Sequence, residues 1–158
     1  MNNICFVSSP VGVLEIQDDG ACLTAVRFVP AGTAASAPNS PVARLAARQL
    51  QAYFAGTLTR FSVPLALAGT PFQQAVWRAL LDIPYGQTRS YGQIAAAINR
   101  PRACRAVGMA NNKNPICILV PCHRVIGAGG NLTGYAGGLT IKEWLLSHER
   151  ATVKNLYQ

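Results

Sequence analysis

The chain changes texture at Gly69-Thr70-Pro71, and that change commits it to two differently built segments. Before it, apolar and small polar residues roughly alternate over Ile4 to Val7, Gly12 to Ile16 and Cys22 to Val29, which predicts a small antiparallel meander. Pro30 to Ser40 has the Ala, Gly, Ser and Pro content of a loop, and it ends on Ser40-Pro41, an N-cap followed by a first-turn proline. The helix so begun should run to about Phe54, with Val42, Leu45, Ala46, Leu50, Tyr53 and Phe54 on one face and Gly56 closing it. After the boundary the spacing is helical. Thr70-Pro71 repeats the cap signal, and Phe72, Val76, Ala79, Leu80 and Ile83 form a stripe that stops at Pro84. Ser90 with Gln93 makes a capping box for the next helix, which Asn99-Arg100-Pro101 breaks before another runs to about Asn111. Two short helices joined by a three-residue break suggest a helix-turn-helix. The expected class is therefore α+β, with domains at residues 1–69 and 70–158.

Half of the 158 residues are apolar, enough to bury a core without disulfides or metal. Cys5, Cys22, Cys104, Cys117 and Cys122 are an odd set with no CxxC pair, which argues against a secreted disulfide framework and a zinc knuckle. Met1 to Pro10 lacks a basic start followed by a sustained apolar stretch, and no apolar run approaches the roughly 18 residues of a membrane span. A soluble, cytoplasmic protein without membrane association is expected. The formal charge is +8, and it is uneven: residues 1–70 carry four arginines against three acids, residues 71–158 ten Lys or Arg against three acids. The second segment is the candidate for a polyanion partner, although a basic surface requires no specific ligand. Its helix after Pro101 would carry Arg102 and Arg105 among Ala103, Ala106, Val107, Gly108 and Ala110. So many small residues suit close approach to a duplex groove or tight packing in the protein's own core.

Beyond the turn-rich Asn111 to Pro115, Ile116 to Val120 reads as a buried strand delivering Pro121-Cys122-His123-Arg124. A thiol beside an imidazole and a guanidinium can be held as thiolate, the nucleophilic form, and a helical turn starting at Cys122 would add its dipole. A buried structural cysteine beside an ordinary histidine is the plainer alternative. Neighbouring side chains on extended backbone point apart, so Cys122 and His123 would meet only across a tight turn or a bridging water. Glu149, at the end of a helix from Leu139 to His148, either orients the imidazole or is an exposed helix-end carboxylate. Cys104, Cys117, Cys122, His123 and His148 contain no pair at zinc-ligand spacing, so no metal is expected. Gly127 to Gly138 has six glycines but no phosphate-cradle pattern. Its glycines either admit a flat ring to the backbone, with Tyr135 as a wall, or make a flexible loop.

These residues have a familiar context. Ile118-Leu119-Val120-Pro121-Cys122-His123-Arg124-Val125-Ile126 resembles the active-site signature of the O6-alkylguanine-DNA alkyltransferases, with Asn114-Pro115 at the family's spacing before it. The resemblance continues through Thr133-Gly134-Tyr135-Ala136-Gly137-Gly138-Leu139 and Lys142 to Glu149, and upstream through Thr70 to Gln73, Trp77, Ile83 to Gly86, Ser90-Tyr91 and Arg105 to Gly108. It covers essentially all of residues 70–149, while the N-terminal segment adds only a Ser9 to Gly12 turn and a similar layout. The resemblance implies a ribonuclease H-like N-terminal domain and a winged helix-turn-helix domain that carries the active site. It implies that Cys122 is the acceptor, activated through water by His123, which Glu149 holds, while Asn114 braces the turn presenting the thiol. Arg105 corresponds to an arginine finger entering from the minor groove, and Tyr91 to a tyrosine at the flanking phosphate and beside the base. Ser90, Arg102, Ala103 and Arg124 complete the implied DNA contacts, and Tyr91, Val125, Tyr135, Ala136 and Lys142 the implied base pocket. Ala136 stands where some members have a serine, which leaves the base oxygen to backbone N–H groups. Of the zinc ligands of some vertebrate members only Cys22 lies near one site, so neither zinc nor another cofactor is expected.

The reaction so implied takes an alkyl group from O6-alkylguanine, and from O4-alkylthymine, in double-stranded DNA to Cys122, once per molecule. The lesion must first leave the base stack, because in-line attack inside it is not feasible. The acting species is expected to be a monomer, alone or in cooperative clusters on DNA. Two other readings remain: a module that binds alkylated bases and signals without transfer, and a Cys-His hydrolase or acyltransferase that turns over repeatedly.

Overall fold

In the computed structural model, residues 2–156 are described; Met1, Tyr157 and Gln158, which the expected domains include, lie outside them. The chain divides into two compact units, Met1–Leu67 and Ala68–Gln158. No helix among the described residues is long and apolar enough to cross a membrane.

In the first unit β1 (Asn3–Ser9), β2 (Gly12–Asp18) and β3 (Leu23–Phe28) form an antiparallel sheet in that order. The register pairs Cys5 with Ile16 and Ile16 with Val26, and alternation puts Leu14 and Ile16 on one buried face with Cys5 and Val26. Helix α1 (Pro41–Phe54) covers that face with Ala43, Ala46, Leu50 and Tyr53, all buried. Ser40 caps α1 by accepting from the Ala43 amide at 3.0 Å, and its hydroxyl donates to buried Asp18 at 2.8 Å. Asp18 also accepts from the Asn3 amide side chain and the Gly20 N–H, so one carboxylate ties the sheet to the helix start. Both sheet edges are occupied. Ser36 exchanges two hydrogen bonds with Phe6 on β1, and Leu23 pairs in parallel with Leu65 through Pro64 and Ala66.

The second unit is mostly helical: α2 (Pro71–Leu81), α3 (Tyr91–Ala97), α4 (Cys104–Asn112) and α5 (Leu139–Leu156). Thr70 with Gln73 and Ser90 with Gln93 form complete capping boxes at the starts of α2 and α3. The α2 side chain Trp77 is buried and donates its indole N–H to the Ala110 carbonyl of α4 at 2.8 Å, which fixes those two helices. In this unit β4 (Arg89–Ser90) pairs in parallel with β5 (Val125–Ile126), two residues each.

Three expectations need correction. The break between α3 and α4 is longer than three residues, with Asn99 in the left-handed region at φ 60°, so Arg102 lies before α4 rather than on it. Ile116 to Val120 is no strand but a compact turn: the chain reverses at Ile118 (φ 74°), Cys117 bridges to Val120, and the Val120 amide donates to Ile116. An all-apolar run of five looks alike whether it lies in a sheet or in a buried turn, because burial alone demands the hydrophobicity. Helix α5 runs beyond His148 to Leu156, so Glu149 sits inside it and is buried.

Candidate active site

Cys122 opens a single 3-10 turn, Cys122–Arg124, and is only 3 % exposed. The preceding turn is pinned by Asn114, whose side chain accepts from the Ile116 amide at 3.0 Å and donates to the Val120 carbonyl at 2.8 Å. That same carbonyl accepts from the Cys122 amide at 2.8 Å, and Asn111 reaches the Cys122 carbonyl at 3.3 Å. The thiol is held below its ordinary value: a hydrogen bond from Cys117 is the main cause, with Asn114, the charge of Lys142 and the thiol's own amide adding to it against the opposing effect of burial. Hydrogen bonding and nearby positive charge thus favour the thiolate.

Next to the thiol, three charged-type side chains are buried together. His123 Nε2 lies 2.6 Å from Glu149 Oε2, and Arg124 grips the same carboxylate twice, Nε to Oε1 at 2.8 Å and Nη2 to Oε2 at 3.1 Å. The Gly86 amide donates to Oε1 at 3.1 Å. Burial pushes Glu149 up, but the hydrogen bonds and charges of His123 and Arg124 hold it well below the usual carboxylate range. For His123 burial is the leading effect and lowers the pKa, and Arg124 and Lys142 add to it against Glu149. Because Arg124 already balances the carboxylate, the imidazole stays neutral near pH 7. With Nε2–H directed at Glu149, its Nδ1 keeps a lone pair, and Nδ1 is buried without a hydrogen-bond partner among the described residues. A neutral imidazole with one nitrogen anchored and the other unengaged is a proton acceptor awaiting a partner.

The expectation that Arg124 contacts DNA is overturned. Its guanidinium is spent on Glu149 and on the Ile83 carbonyl at 2.9 Å, beside the Tyr85 ring at 5.5 Å, and the residue is buried. A lone arginine beside a reactive cysteine in a basic segment looks solvent-facing until its carboxylate, 25 positions away, folds beneath it.

Lys142 is also buried, and its ammonium donates to the Val125 carbonyl at 2.6 Å and the Thr133 carbonyl at 2.7 Å, tying β5 to the middle of the glycine-rich loop. Within the loop Gly127 and Asn131 close one turn, and Tyr135 and Gly138 another. Tyr91, at the start of α3, reaches the same loop: its hydroxyl donates to the Thr133 carbonyl at 3.3 Å and accepts from the Thr133 hydroxyl at 2.9 Å. Tyr135 is half-buried and Ala136 exposed, whereas Val125 is buried within β5 and offers the site its carbonyl rather than its side chain. Cys117, Asn111, Gly86 and Thr133 were not singled out from the sequence, and each enters through a backbone or side-chain hydrogen bond that spacing alone does not announce.

Two family descriptions match the two units. The ribonuclease-like domain of 6-O-methylguanine DNA methyltransferase matches residues 5–67, and its DNA binding domain matches residues 71–151. A methylated-DNA–protein-cysteine methyltransferase of Methanosarcina acetivorans is 55% identical over 146 residues, covering 89% of this chain and 94% of the relative. The crystal structure of the Mycobacterium tuberculosis O6-methylguanine methyltransferase superposes with TM-score 0.88 at 48% identity over 100% of both chains. A second structure, the Mycobacterium tuberculosis protein in complex with DNA, gives TM-score 0.86 at 52% identity, over 93% of this chain and 92% of that one. This chain is a 6-O-methylguanine DNA methyltransferase family member.

As expected for this methyltransferase family, a small antiparallel sheet with a helix precedes a mostly helical unit with a helix-turn-helix. On the outside of the methyltransferase's second unit, Arg102 and Arg105 are exposed and Ala103 half-exposed. Arg105 projects from the first turn of α4, and Met109, one turn on, is 67% exposed. Gly108 faces the Tyr91 ring, where an added Cβ would lie 3.7 Å from it, so small residues here serve internal packing of Tyr91 as well as the surface. The Ser90 hydroxyl is engaged as the cap of α3, accepting from the Gln93 amide at 3.1 Å.

Proposed function

We propose that this protein repairs DNA by direct, stoichiometric transfer of an alkyl group from O6-alkylguanine, and from O4-alkylthymine, to the sulfur of Cys122. The observation that carries the reading is a buried, thiolate-favouring Cys122 next to a neutral His123 that presents an unpartnered Nδ1. A water between Nδ1 and the thiol takes the proton from sulfur and passes it to His123, while Glu149, kept anionic by Arg124, holds the other nitrogen. The thiolate then attacks the alkyl carbon in line, the S–C bond forms as the C–O6 bond breaks, and guanine departs as its oxyanion to be protonated. Tyr91 is the favoured proton donor, because the Lys142 ammonium is committed to two carbonyls.

Double-stranded DNA is the partner this reading requires, and a sulfur so enclosed reacts only with a base swung out of its stack. Exposed Arg105 on α4 is suited to enter the minor groove and fill the vacated space, with Tyr91 at the neighbouring phosphate. Tyr135 and the backbone N–H groups around Ala136 receive the base. The product is a thioether, which has no easy reverse path, so each molecule acts once. The protein acts as a monomer, alone or clustered on DNA, and its five cysteines, none of them in a disulfide, suit the reducing cytoplasm. Intact mass after mixing with methylated duplex tests the proposal: one added methyl per chain on Cys122 is expected, and no adduct, or an adduct elsewhere, defeats it.

A further inference from the structure

The two hydrogen bonds of the Tyr91 hydroxyl, both to Thr133, are unequal. Its oxygen accepts from the Thr133 hydroxyl at 2.9 Å, while its own proton points to the Thr133 carbonyl at 3.3 Å, beyond the roughly 3.0 Å of a good O–H···O bond. That carbonyl is already taken by the Lys142 ammonium at 2.7 Å, and Lys142 is tied in turn to Val125. The Tyr91 ring is placed as well, since it lies over Gly108 of α4, where an added Cβ would sit 3.7 Å from ring carbon Cε1. The phenol thus has a seated ring, an anchored oxygen and a proton that can turn elsewhere at the loss of only a weak bond. Thr133 is exposed and Tyr91 half-buried, so a docked base and solvent both reach the pair.

We propose that Thr133 is a positioning residue for protonation of the departing base: its hydroxyl orients the Tyr91 oxygen and keeps donating to it as the phenol gives up its proton. The proposal rests on Tyr91 being the proton donor. As the bond between the alkyl carbon and O6 breaks, its electron pair passes to guanine, guanine takes the Tyr91 proton, and the oxygen left on Tyr91 carries the negative charge. A hydrogen bond to an ionised oxygen is roughly twice as strong as one to a neutral oxygen, so the Thr133 contact strengthens as the proton leaves. Solvent then returns a proton to Tyr91, matching the one that Cys122 sheds to His123, and Thr133 is left unchanged. The Thr133 carbonyl stays with Lys142 throughout, so the loop need not move for the phenol to act.

The test compares two leaving groups on the full chain. Transfer to Cys122 from a free O6-benzylated guanine needs a proton on the departing base, whereas alkylation of Cys122 by iodoacetamide releases iodide, which needs none. Thr133→Val keeps the shape of the side chain and the backbone carbonyl but loses the hydroxyl. It should slow benzyl transfer about tenfold at saturating base, with the apparent binding constant and the iodoacetamide rate unchanged. Thr133→Ser retains the donor and should transfer close to the parent rate. Equal slowing of both reactions in the valine variant, or benzyl transfer at the parent rate, overturns the proposal. In Tyr91→Phe, adding Thr133→Val should slow transfer no further, because Thr133 acts through the phenol; a further loss as large as in the parent overturns it too. Melting curves identify a valine variant that fails to fold, and Thr133→Ala is then read in its place. Tyr91→Phe transferring at the parent rate defeats the donor reading itself, whereas a slow Tyr91→Phe beside an unimpaired Thr133→Val removes only the role of Thr133.

Discussion

Glu149 accepts four hydrogen bonds inside the protein, two from one guanidinium, and that makes its charge both necessary and costly to disturb. Replacing it with glutamine leaves Arg124 buried without a counter-charge, so Glu149→Gln should cost about 3–5 kcal/mol, measured by denaturant unfolding. The same cluster sets an acid limit. Both His123 and Glu149 have folded pKa values below their unfolded ones, so unfolded protein binds more protons than folded protein as pH falls. Their contribution is present above the ordinary histidine value of 6.5 and is lost downward from it, with Glu149 adding a second loss below 4.5. Melting temperature should therefore begin to fall just under pH 6.5, and in His123→Gln the first part of that fall should vanish. Among these residues the sequence pointed to Cys122 through its neighbours. From the residues alone Glu149 is an open choice between orienting His123 and an exposed helix end, which the family resemblance decides; Arg124 is misread because its partner lies just past His148, on a helix that runs on to Leu156.

At the level of elements, the capped helices were readable and the turn was not. Ser40-Pro41, Thr70-Pro71 and Ser90 with Gln93 each mark a helix start found at that place, because a cap is a local hydrogen bond that needs no tertiary partner. The turn from Asn114 to Cys122 is held instead by one side chain and by a residue with positive φ, neither of which leaves a periodic trace. Asn114→Ala removes both braces at a buried position, so a loss of about 1–3 kcal/mol is expected together with slower reaction of Cys122. A chemical-denaturation midpoint and a transfer rate measured on one preparation check it. Helix α4 provides the complementary case: Arg105 is exposed in its first turn. Arg105→Ala should weaken repair of duplex DNA far more than reaction with a free alkylated guanine base, and equal losses would remove its assignment to the groove.

For the molecule as a whole, the charge imbalance suits the division of labour between the units. Ten of the fourteen basic residues lie beyond residue 70, on the unit that also holds the thiol. Binding to undamaged duplex should therefore weaken steeply with added salt, and each exposed arginine removed from Arg102 or Arg105 should lower the salt slope by about one. That is measurable by titration at several ionic strengths. The packing around Cys122 sets a further consequence. Cys122 is only 3 % exposed, so a carbon added to its sulfur has to be taken in among packed neighbours. Such a centre behaves like a reagent in a burette rather than a turnover catalyst: lesions and copies cancel one for one, progress curves break sharply at equivalence, and tolerance to alkylation tracks how quickly new chains are made.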